Sequence, residues 1–166
     1  MIKMNQKMKH ALHATEWTSN ELPETLSNLA VRGFIEHDEC FFLASTIEKK
    51  TNISSSDFPD KTGYECFINS IHIDDHIQSD YLINACLLAE TILKKLSMLE
   101  KNQLLRIIIS SNEFGATLKV HLLRTGESWL ASNLEEYDEA ILFMDSIDYC
   151  SSKASLKTIL LASETP

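Results

Sequence analysis

The feature that most constrains the fold is a long apolar stripe between Asp75 and Leu99. Apolar side chains recur there every three or four residues, at Ile77, Tyr81, Ala85, Leu88, Ile92, Leu96 and Leu99. This spacing places them on one face of an α-helix, so the sequence predicts one long amphipathic helix over about 75–99. Asp75 and Gln78 resemble a capping box at its start, and Glu90 and Lys94 are spaced to form an ion pair along it.

Two segments before this helix are predicted to be strands. Residues 39–47 and 64–73 are rich in aromatic and β-branched side chains, and the polar, turn-rich segment 52–63 between them is predicted to be a loop. Residues 1–19 are predicted to form a mobile N-terminal arm, with one short amphipathic helix as the alternative. A second short helix is expected over 20–26, with Ser19 or Asn20 as its cap.

Three further strands are predicted after the long helix, over residues 104–109, 117–122 and 140–144. The turn residues at 112–115 predict that the first two of these strands pair as an antiparallel hairpin. The tail after Asp145 is expected to add a last strand or helix.

The order of these elements predicts an α+β fold. It is a mainly antiparallel sheet of about five strands, with one long helix (about 75–99) packed on one face. The 166 residues fit one domain, so residues 20–166 are predicted to form a single globular α+β domain that follows the arm.

The charge balance restricts the partners. The chain has 24 acidic and 15 basic residues, a net charge of -9. An acidic surface repels phosphate backbones, so nucleic-acid binding is not expected, whereas a basic protein would be attracted. No stretch approaches the roughly 18 apolar residues that a membrane helix needs, and residues 1–13 lack the apolar run of a signal peptide. The protein is therefore predicted to be cytoplasmic, without a membrane partner.

The motifs of common catalytic sites are missing. The cysteines are far apart, with no C-x-x-C pair, at Cys40, Cys66, Cys86 and Cys150. They are predicted to be reduced and mostly buried, although a Cys–His pair would become visible only in the fold. The chain lacks the P-loop, the dinucleotide-binding glycine pattern and Gly-x-Ser-x-Gly. The sequence therefore predicts no catalytic residue, no cofactor and no metal.

The densest group of potential metal ligands is IHIDDH, residues 71–76. On one helix, His72 and His76 would share a face, as in zinc sites. The predicted boundary instead places His72 at a strand end and His76 at a helix start. The favoured interpretation is a helix N-terminus stabilised by Asp74 and Asp75, and a metal site is the alternative.

A basic stripe is predicted on the outer face of the hairpin, formed by Arg106, Lys119, His121 and Arg124. On an acidic protein such a stripe could hold an anion or an acidic partner. The favoured interpretation is a solvated sheet face, with Lys119 and His121 pointing outward, in charge balance with nearby carboxylates.

The stretch GESWLASNLEEYDEA, residues 126–140, combines aromatic and acidic side chains, and we call it the acidic loop. Its crowded carboxylates are Glu135, Glu136, Asp138 and Glu139. Two catalytic carboxylates need different environments to separate their pKa values, which a solvated loop does not supply. One interpretation is a docking surface with Trp129 and Tyr137 as aromatic anchors. The other is that Trp129 and Leu130 pack under the loop and the acids only keep it soluble.

Two parts of the chain resemble small bacterial immunity proteins, the antidotes encoded beside contact-dependent growth-inhibition and related polymorphic toxins. The first is the segment that ends in IHIDD, residues 64–75. The second is the block HLLRTGESWL with the LEEY that follows it, residues 121–137. The resemblance covers roughly residues 64–145.

The resemblance implies a cytoplasmic, non-enzymatic protein that binds one toxin domain and blocks its active site. Such toxins are often basic nucleases, which an acidic inhibitor would attract. The expected partner-binding residues are Trp129, Glu135, Glu136, Tyr137, Asp138, Glu139, Asp74 and Asp75. Two alternatives stay open: a small enzyme that uses His72, His76 and Asp74, and an adaptor or oligomer subunit with an exposed sheet edge.

Overall fold

The computed structural model describes residues 1–17, 21–48, 52–99, 103–152 and 154–162. In chain order its helices and strands are β1 (Ile2–Met4), α1 (Gln6–Ala14), α2 (Glu24–Val31), β2 (Phe34–His37), β3 (Cys40–Leu43), α3 (Ala44–Ile47), α4 (Lys61–Ile68), β4 (Ile71–His72), α5 (Tyr81–Ser97), β5 (Leu105–Ser111), β6 (Ala116–Leu122), β7 (Ala140–Asp145), α6 (Ser146–Ser152) and α7 (Leu156–Ala162).

Five strands form one antiparallel sheet in the order β1-β7-β5-β6-β4, and β2 pairs with β3 in a separate two-stranded sheet. β5 and β6 pair along their whole length, from Leu105 opposite Leu122 to Ser111 opposite Ala116. This confirms the α+β class, the mainly antiparallel sheet of about five strands and the predicted hairpin.

The long helix α5 packs on one face of this sheet, as predicted. Its stripe is buried in the main core at Ala85, Leu88, Ile92 and Leu96. The predicted ion pair between Glu90 and Lys94 forms at 2.9 Å. In the described part of the chain, no helix is both long and apolar enough to cross a bilayer.

The start of the long helix was predicted too early. Asp75 belongs to a single 3-10 turn, Ile73–Asp75, and α5 begins only at Tyr81, so the expected capping box at Asp75 is wrong. The pairing of β4 with β6 and the complete burial of Ile73 hold this part of the chain on the sheet. Asp80, whose φ of 56° is left-handed, directly precedes α5.

The segment 64–73, predicted to be a strand, is helical for most of its length. α4 is capped by Asp60, whose carboxylate accepts a hydrogen bond from the Gly63 N–H at 2.6 Å. Glu65 and Asn69, four residues apart, share its buried face and bind the backbones of β3 and β6. Short apolar runs do not distinguish a strand from a helix. In the folded chain, the helix places both buried polar side chains against backbone groups that satisfy them.

The segment 39–47, also predicted to be a strand, is divided between β3 and the short helix α3. Its partner β2 was not predicted. The turn that joins them has positive φ at Asp38 (50°) and Glu39 (62°), a backbone that usually carries Asn-Gly or Asp-Gly. The hairpin therefore lacked its usual sequence signal.

The N-terminal residues do not form a mobile arm, which corrects the favoured prediction. β1 adds an edge strand to the main sheet by pairing with β7, and α1 is the amphipathic helix of the alternative prediction. Met8 and Leu12 of α1 are buried in the main core, and their burial favours the ordered helix. The predicted cap residues Ser19 and Asn20 lie outside the described residues, and α2 begins later, at Glu24.

The outer face of the β5–β6 hairpin is covered, contrary to the prediction of a solvated stripe. α4 and the acidic loop lie over it, around a second apolar cluster made of Cys66, Ile108, Leu134, Ile141 and Phe143, with Leu130 and Tyr137 beside it. His121, predicted to point outward, is only 2% exposed. Arg106 pairs with Asp145 at 2.7 Å and Arg124 with Glu65 at 2.7 Å, so both arginines are neutralised within the fold.

His121 is expected to make the fold less stable in weak acid. Its Nδ1 donates to the Leu122 carbonyl at 2.8 Å, and its Nε2 has no hydrogen-bond partner among the described residues. Burial lowers the pKa of this imidazole below the ordinary 6.5. As the pH falls from about 7.5 to about 5.5, the unfolded chain therefore binds a proton on His121 that the folded chain does not bind, and the free energy of unfolding decreases. In urea unfolding of the wild type, His121 should lower the free energy of unfolding by at most about 1.4 kcal/mol for each pH unit.

The His121→Gln variant should lose that part of the slope. The matched control is His10→Gln, because His10 is exposed on α1. Equal slopes for the wild type and His121→Gln would contradict the assignment.

The cysteines form no disulfide. Cys40, Cys66 and Cys86 are buried and Cys150 is exposed. Burial raises the pKa of the Cys66 and Cys86 thiols to about 12. These two thiols are therefore protonated at neutral pH and are not activated nucleophiles.

Candidate functional site

The candidate site is built at the closed end of the β5–β6 hairpin. The Asn112 side-chain oxygen accepts hydrogen bonds from the backbone N–H groups of Phe114 (2.9 Å) and Gly115 (3.2 Å), which closes the turn. The Asn112 side-chain amide donates to the Glu139 carboxylate at 3.1 Å. The turn is thereby tied to the acidic loop where that loop enters β7.

A cavity of about 240 Å³ opens beside this turn, and we call it the hairpin-end cavity. Its walls include His72, Asp74, Asn112, Phe114, Gly115 and Glu139. It brings together Asp74 and Glu139, two predicted partner-binding carboxylates from distant parts of the chain. Neither forms an ion pair with a described residue, and no described Lys or Arg lines the cavity, so its walls carry net negative charge at neutral pH.

Gly115 provides the room that the Asp74 side chain occupies. A Cβ atom at position 115 would lie 2.5 Å from Asp74 Cγ and 3.0 Å from its Cβ, closer than non-bonded carbons approach. On the same wall, His72 Nδ1 contacts the Thr117 hydroxyl at 3.3 Å. The absence of a side chain at 115 therefore determines where the Asp74 carboxylate lies.

Replacing Gly115 by Ala is expected to displace the Asp74 carboxylate and to cost about 1–3 kcal/mol of stability, as overpacking does. Urea unfolding and the NMR shift of the Asp74 carboxyl carbon would measure both effects. In an Asp74→Gly background, which removes the side chain that the new Cβ would meet, the same change should cost clearly less. Equal costs in the two backgrounds would mean that another contact opposes the methyl group.

Phe114 is the most exposed aromatic side chain in this region, at 77%. It lies at the tip of a turn whose backbone is held by Asn112, and Glu113 beside it is also exposed. Sequence reasoning used this segment only as a turn and missed Phe114 as a functional candidate. An aromatic residue inside a short polar turn was the available signal, because such a turn has no core for the ring to enter.

The structure brings only one of the four loop carboxylates, that of Glu139, into the cavity. Glu136 is exposed and accepts a hydrogen bond from the Asn133 side-chain amide at 3.1 Å. Glu135 accepts hydrogen bonds from the first backbone N–H of α1, at 3.0 and 3.2 Å. Asp138 lies 3.7 Å from a lysine ammonium on the same helix. The Glu135 carboxylate therefore ties the loop to α1, and the same lysine donates to the backbone carbonyls of Tyr137 and Asp138, while the Asp138 carboxylate stays fully exposed.

Asn5 joins the same two elements and was missed from the sequence. It is fully buried, and its amide donates to the carbonyls of Glu139 (2.8 Å) and Leu134 (3.3 Å). Its oxygen accepts from the N–H groups of Met8 (2.9 Å), as the N-cap of α1, and Ile141 (3.0 Å). An Asn just ahead of a helical apolar period was the available signal.

The two aromatic residues of the acidic loop have different settings. Tyr137 is half-buried and its hydroxyl accepts from the Ala131 N–H at 2.9 Å, so it supports the loop from inside. Leu130 packs in the same cluster, as one interpretation expected, but Trp129 stays 41% exposed. The Trp129 ring lies 5.3 Å from the Lys119 ammonium.

Asp75 lies apart from the hairpin-end cavity. It lines a second cavity of about 440 Å³, together with His76 and Lys119, and we call this the lysine pocket. His72 lines both cavities, whereas Asp74 lines only the first. Among the described residues, no three His, Cys, Asp or Glu side chains are arranged to hold a metal ion.

One family of proteins matches most of this chain. A family model matches residues 3–158, which include both faces of the sheet, the hairpin and the acidic loop. The chain belongs to the Uncharacterized protein PM0498 family. No curated protein and no solved structure matches it. The PM0498 family match includes α1, so the helix that holds the acidic loop is part of the family's domain.

Proposed function

We propose that the protein is a non-enzymatic immunity protein that binds and neutralises a cognate toxin domain in the cytoplasm. The observation that carries the proposal is an exposed aromatic side chain, Phe114, next to a cavity whose Asp74 and Glu139 carboxylates lack basic partners among the described residues. Aromatic anchors concentrate binding energy in protein interfaces, and unpaired carboxylates attract basic surfaces.

We propose the hairpin end, and not the acidic loop, as the centre of the binding surface. Glu135 already accepts hydrogen bonds from α1, so it is less available to a partner, whereas Asp138 is fully exposed and is proposed as a further flanking contact. Asn112 binds the Glu139 carboxylate and the Phe114 backbone, and the Asp74 side chain fills the space beside Gly115. These contacts lower the entropy that a partner must remove on binding. Trp129, Glu136, Tyr137 and Asp75 are proposed as flanking contacts.

The net charge of -9 agrees with a basic partner, because opposite fields speed the encounter of two proteins. A toxin domain with a positively charged active-site cleft, such as a nuclease, is the expected partner class. The acids of the hairpin-end cavity would occupy the place of that toxin's anionic substrate.

A metal-dependent enzyme based on His72, His76 and Asp74 is less well supported. Asp74 and His76 line different cavities, so the three side chains do not surround one ion-sized position. An adaptor or oligomer subunit stays a possible outcome of the experiment below.

The first test is affinity purification from the native cell at low and at moderate salt. A single basic toxin fragment, retained stoichiometrically and loosened by salt, is the expected result. A defined homo-oligomer, recovered without such a fragment from cells that produce the neighbouring toxin, would overturn the proposal in favour of an oligomer subunit.

Neutralising the cavity should weaken binding to the captured partner. The double variant Asp74→Asn with Glu139→Gln keeps the side-chain shapes, and we expect it to bind about three- to tenfold less tightly, with a shallower salt dependence. Isothermal titration at several salt concentrations measures both changes. The control is Glu16→Gln with Glu24→Gln, which removes the same charge from exposed positions elsewhere. An equal loss in the control would mean that only net charge matters, and that the partner does not contact the cavity.

A further inference from the structure

The lysine pocket has a chemistry that the proposed toxin interface does not use. Its volume of about 440 Å³ falls in the range of small-molecule sites, about 300–1,000 Å³. Leu29, Phe67 and Ile71 supply apolar walls, and the 40% exposure of Phe67 leaves part of its ring open to solvent. The pocket can therefore take the apolar body of a ligand.

One wall of the pocket holds a half-buried ammonium group without a carboxylate partner. Lys119 Nζ donates to the Ser70 hydroxyl at 2.9 Å, and both residues line the cavity. No described carboxylate lies within ion-pair distance of it. On the same sheet face, by contrast, Arg106 and Arg124 each have a carboxylate partner.

The environment of this ammonium favours an added anion. Burial lowers the pKa of Lys119, although Cys66 and the carboxylate of Glu139 oppose that shift. A partly buried charge costs free energy unless a counter-charge accompanies it. The other titratable groups of the pocket are His72, Asp75 and His76, and they supply no carboxylate within ion-pair distance of Lys119.

We propose that the lysine pocket binds a small monocarboxylate with an apolar body. The carboxylate accepts hydrogen bonds from Lys119 Nζ and the Ser70 hydroxyl, and the apolar body packs on Leu29, Phe67 and Ile71. A monoanion matches the one ammonium group among the described residues that line the pocket, that of Lys119. Dianions such as phosphate are disfavoured by Asp75 in the same pocket and by the net charge of the chain. This binding requires no toxin, so either proposal can fail without the other.

The test uses the full chain with ¹³C-labelled lysine and phenylalanine, titrated in NMR with phenylacetate, octanoate, phenylacetamide and inorganic phosphate. We expect phenylacetate to move the Lys119 side-chain and Phe67 ring resonances, and to bind at least about tenfold more tightly than its neutral amide, because charge-assisted hydrogen bonds are the stronger ones. Octanoate should cause the same shifts, and phosphate should not.

Two matched variants test whether the Lys119 ammonium is the charge that binds the carboxylate. Lys119→Met keeps the length and apolar stem of the side chain, and it should weaken phenylacetate binding at least about tenfold while leaving phenylacetamide unchanged. Lys3→Met removes a charge from the exposed edge strand β1 and should leave both unchanged. The wild-type comparison of phenylacetate with phenylacetamide decides the question even if Lys119→Met does not fold.

Three results would overturn the proposal. The first is equal affinity for phenylacetate and phenylacetamide. The second is phosphate binding more tightly than either carboxylate, which would indicate a general anion site. The third is no shift of the Lys119 or Phe67 resonances at millimolar concentrations of either carboxylate.

Discussion

Replacing Arg124 by Met is expected to destabilise the folded protein by about 3–5 kcal/mol, because it leaves a buried carboxylate without its counter-charge. The Glu65 side chain is 0% exposed. It accepts hydrogen bonds from the Arg124 guanidinium at 2.7 and 2.8 Å and from the backbone N–H groups of Phe41 and Leu122, both at 2.7 Å. Urea unfolding followed by circular dichroism measures the loss.

A matched control separates burial from the simple loss of an arginine. Arg32 pairs with Glu48 on the surface, where both side chains are about half exposed. Arg32→Met should cost less than about 1 kcal/mol, since solvent screens exposed ion pairs. If Arg124→Met and Arg32→Met cost the same, burial does not govern the strength of the pair.

The double variant Glu65→Met with Arg124→Met should be more stable than Arg124→Met alone, because it removes the unpaired charge together with its partner. Arg124 also donates to the Glu39 carbonyl at 2.9 Å, and the acidic loop begins just after it. The single variant is therefore expected to loosen the entry of that loop as well as the β2–β3 hairpin.

Replacing Phe114 by Ala is expected to weaken binding of the proposed toxin partner by about 30-fold, equivalent to about 2 kcal/mol, which is the usual size of an interface hot spot. The ring is 77% exposed in the free protein, so truncating it removes few contacts within the fold. The thermal midpoint should stay close to that of the wild type. Binding kinetics on an immobilised partner would show the change mainly as faster dissociation.

Met98→Ala is the matched control for Phe114. Met98 is 80% exposed and lines a different cavity, together with Gly33 and Phe34. It should bind the partner as tightly as the wild type. A larger loss for Met98→Ala than for Phe114→Ala would place the interface on that other, apolar surface and would contradict the hairpin-end assignment.

Residues 121–137, which carry the resemblance to immunity proteins, mainly hold neighbouring elements of this fold together. His121 and Arg124 are held inside it, and Gly126 has a φ of 83°, which favours glycine. The Glu127 carboxylate accepts from a backbone N–H in the first turn of α4 at 2.9 Å. The Ser128 hydroxyl donates to a backbone carbonyl two residues later at 2.7 Å. The motif therefore positions the acidic loop, while the proposed partner contacts centre on the hairpin end.

Several elements followed from the sequence because their determinants are local. The apolar period of α5, the alternation in β6 and the turn residues at 112–115 each depend on neighbours within a few positions. The α+β class followed from the order of these elements. The net charge led to the expectation of a basic partner. The favoured N-terminal arm was wrong because β1 pairs with β7 and α1 packs on the core. The local apolar spacing offered α1 as an alternative helix, but it could not show that distant residues would hold β1 and α1 in place.

Only the tertiary structure decided which polar groups are buried and which distant residues meet. Glu65 and Asn69 of α4 bind backbone groups of β3 and β6. These partners lie far away in the chain, so the sequence did not show that this segment would be a helix. Asp74 and Glu139 line one cavity because β4 pairs with β6 and because Gly115 has no side chain. By itself the sequence determined the helix, the hairpin and the overall charge, since these depend on short-range spacing and composition. The cavities and the Lys119 ammonium, which has no carboxylate partner in the described part of the chain, arise from long-range packing. The free energy of this packing depends on contacts that form only in the complete fold.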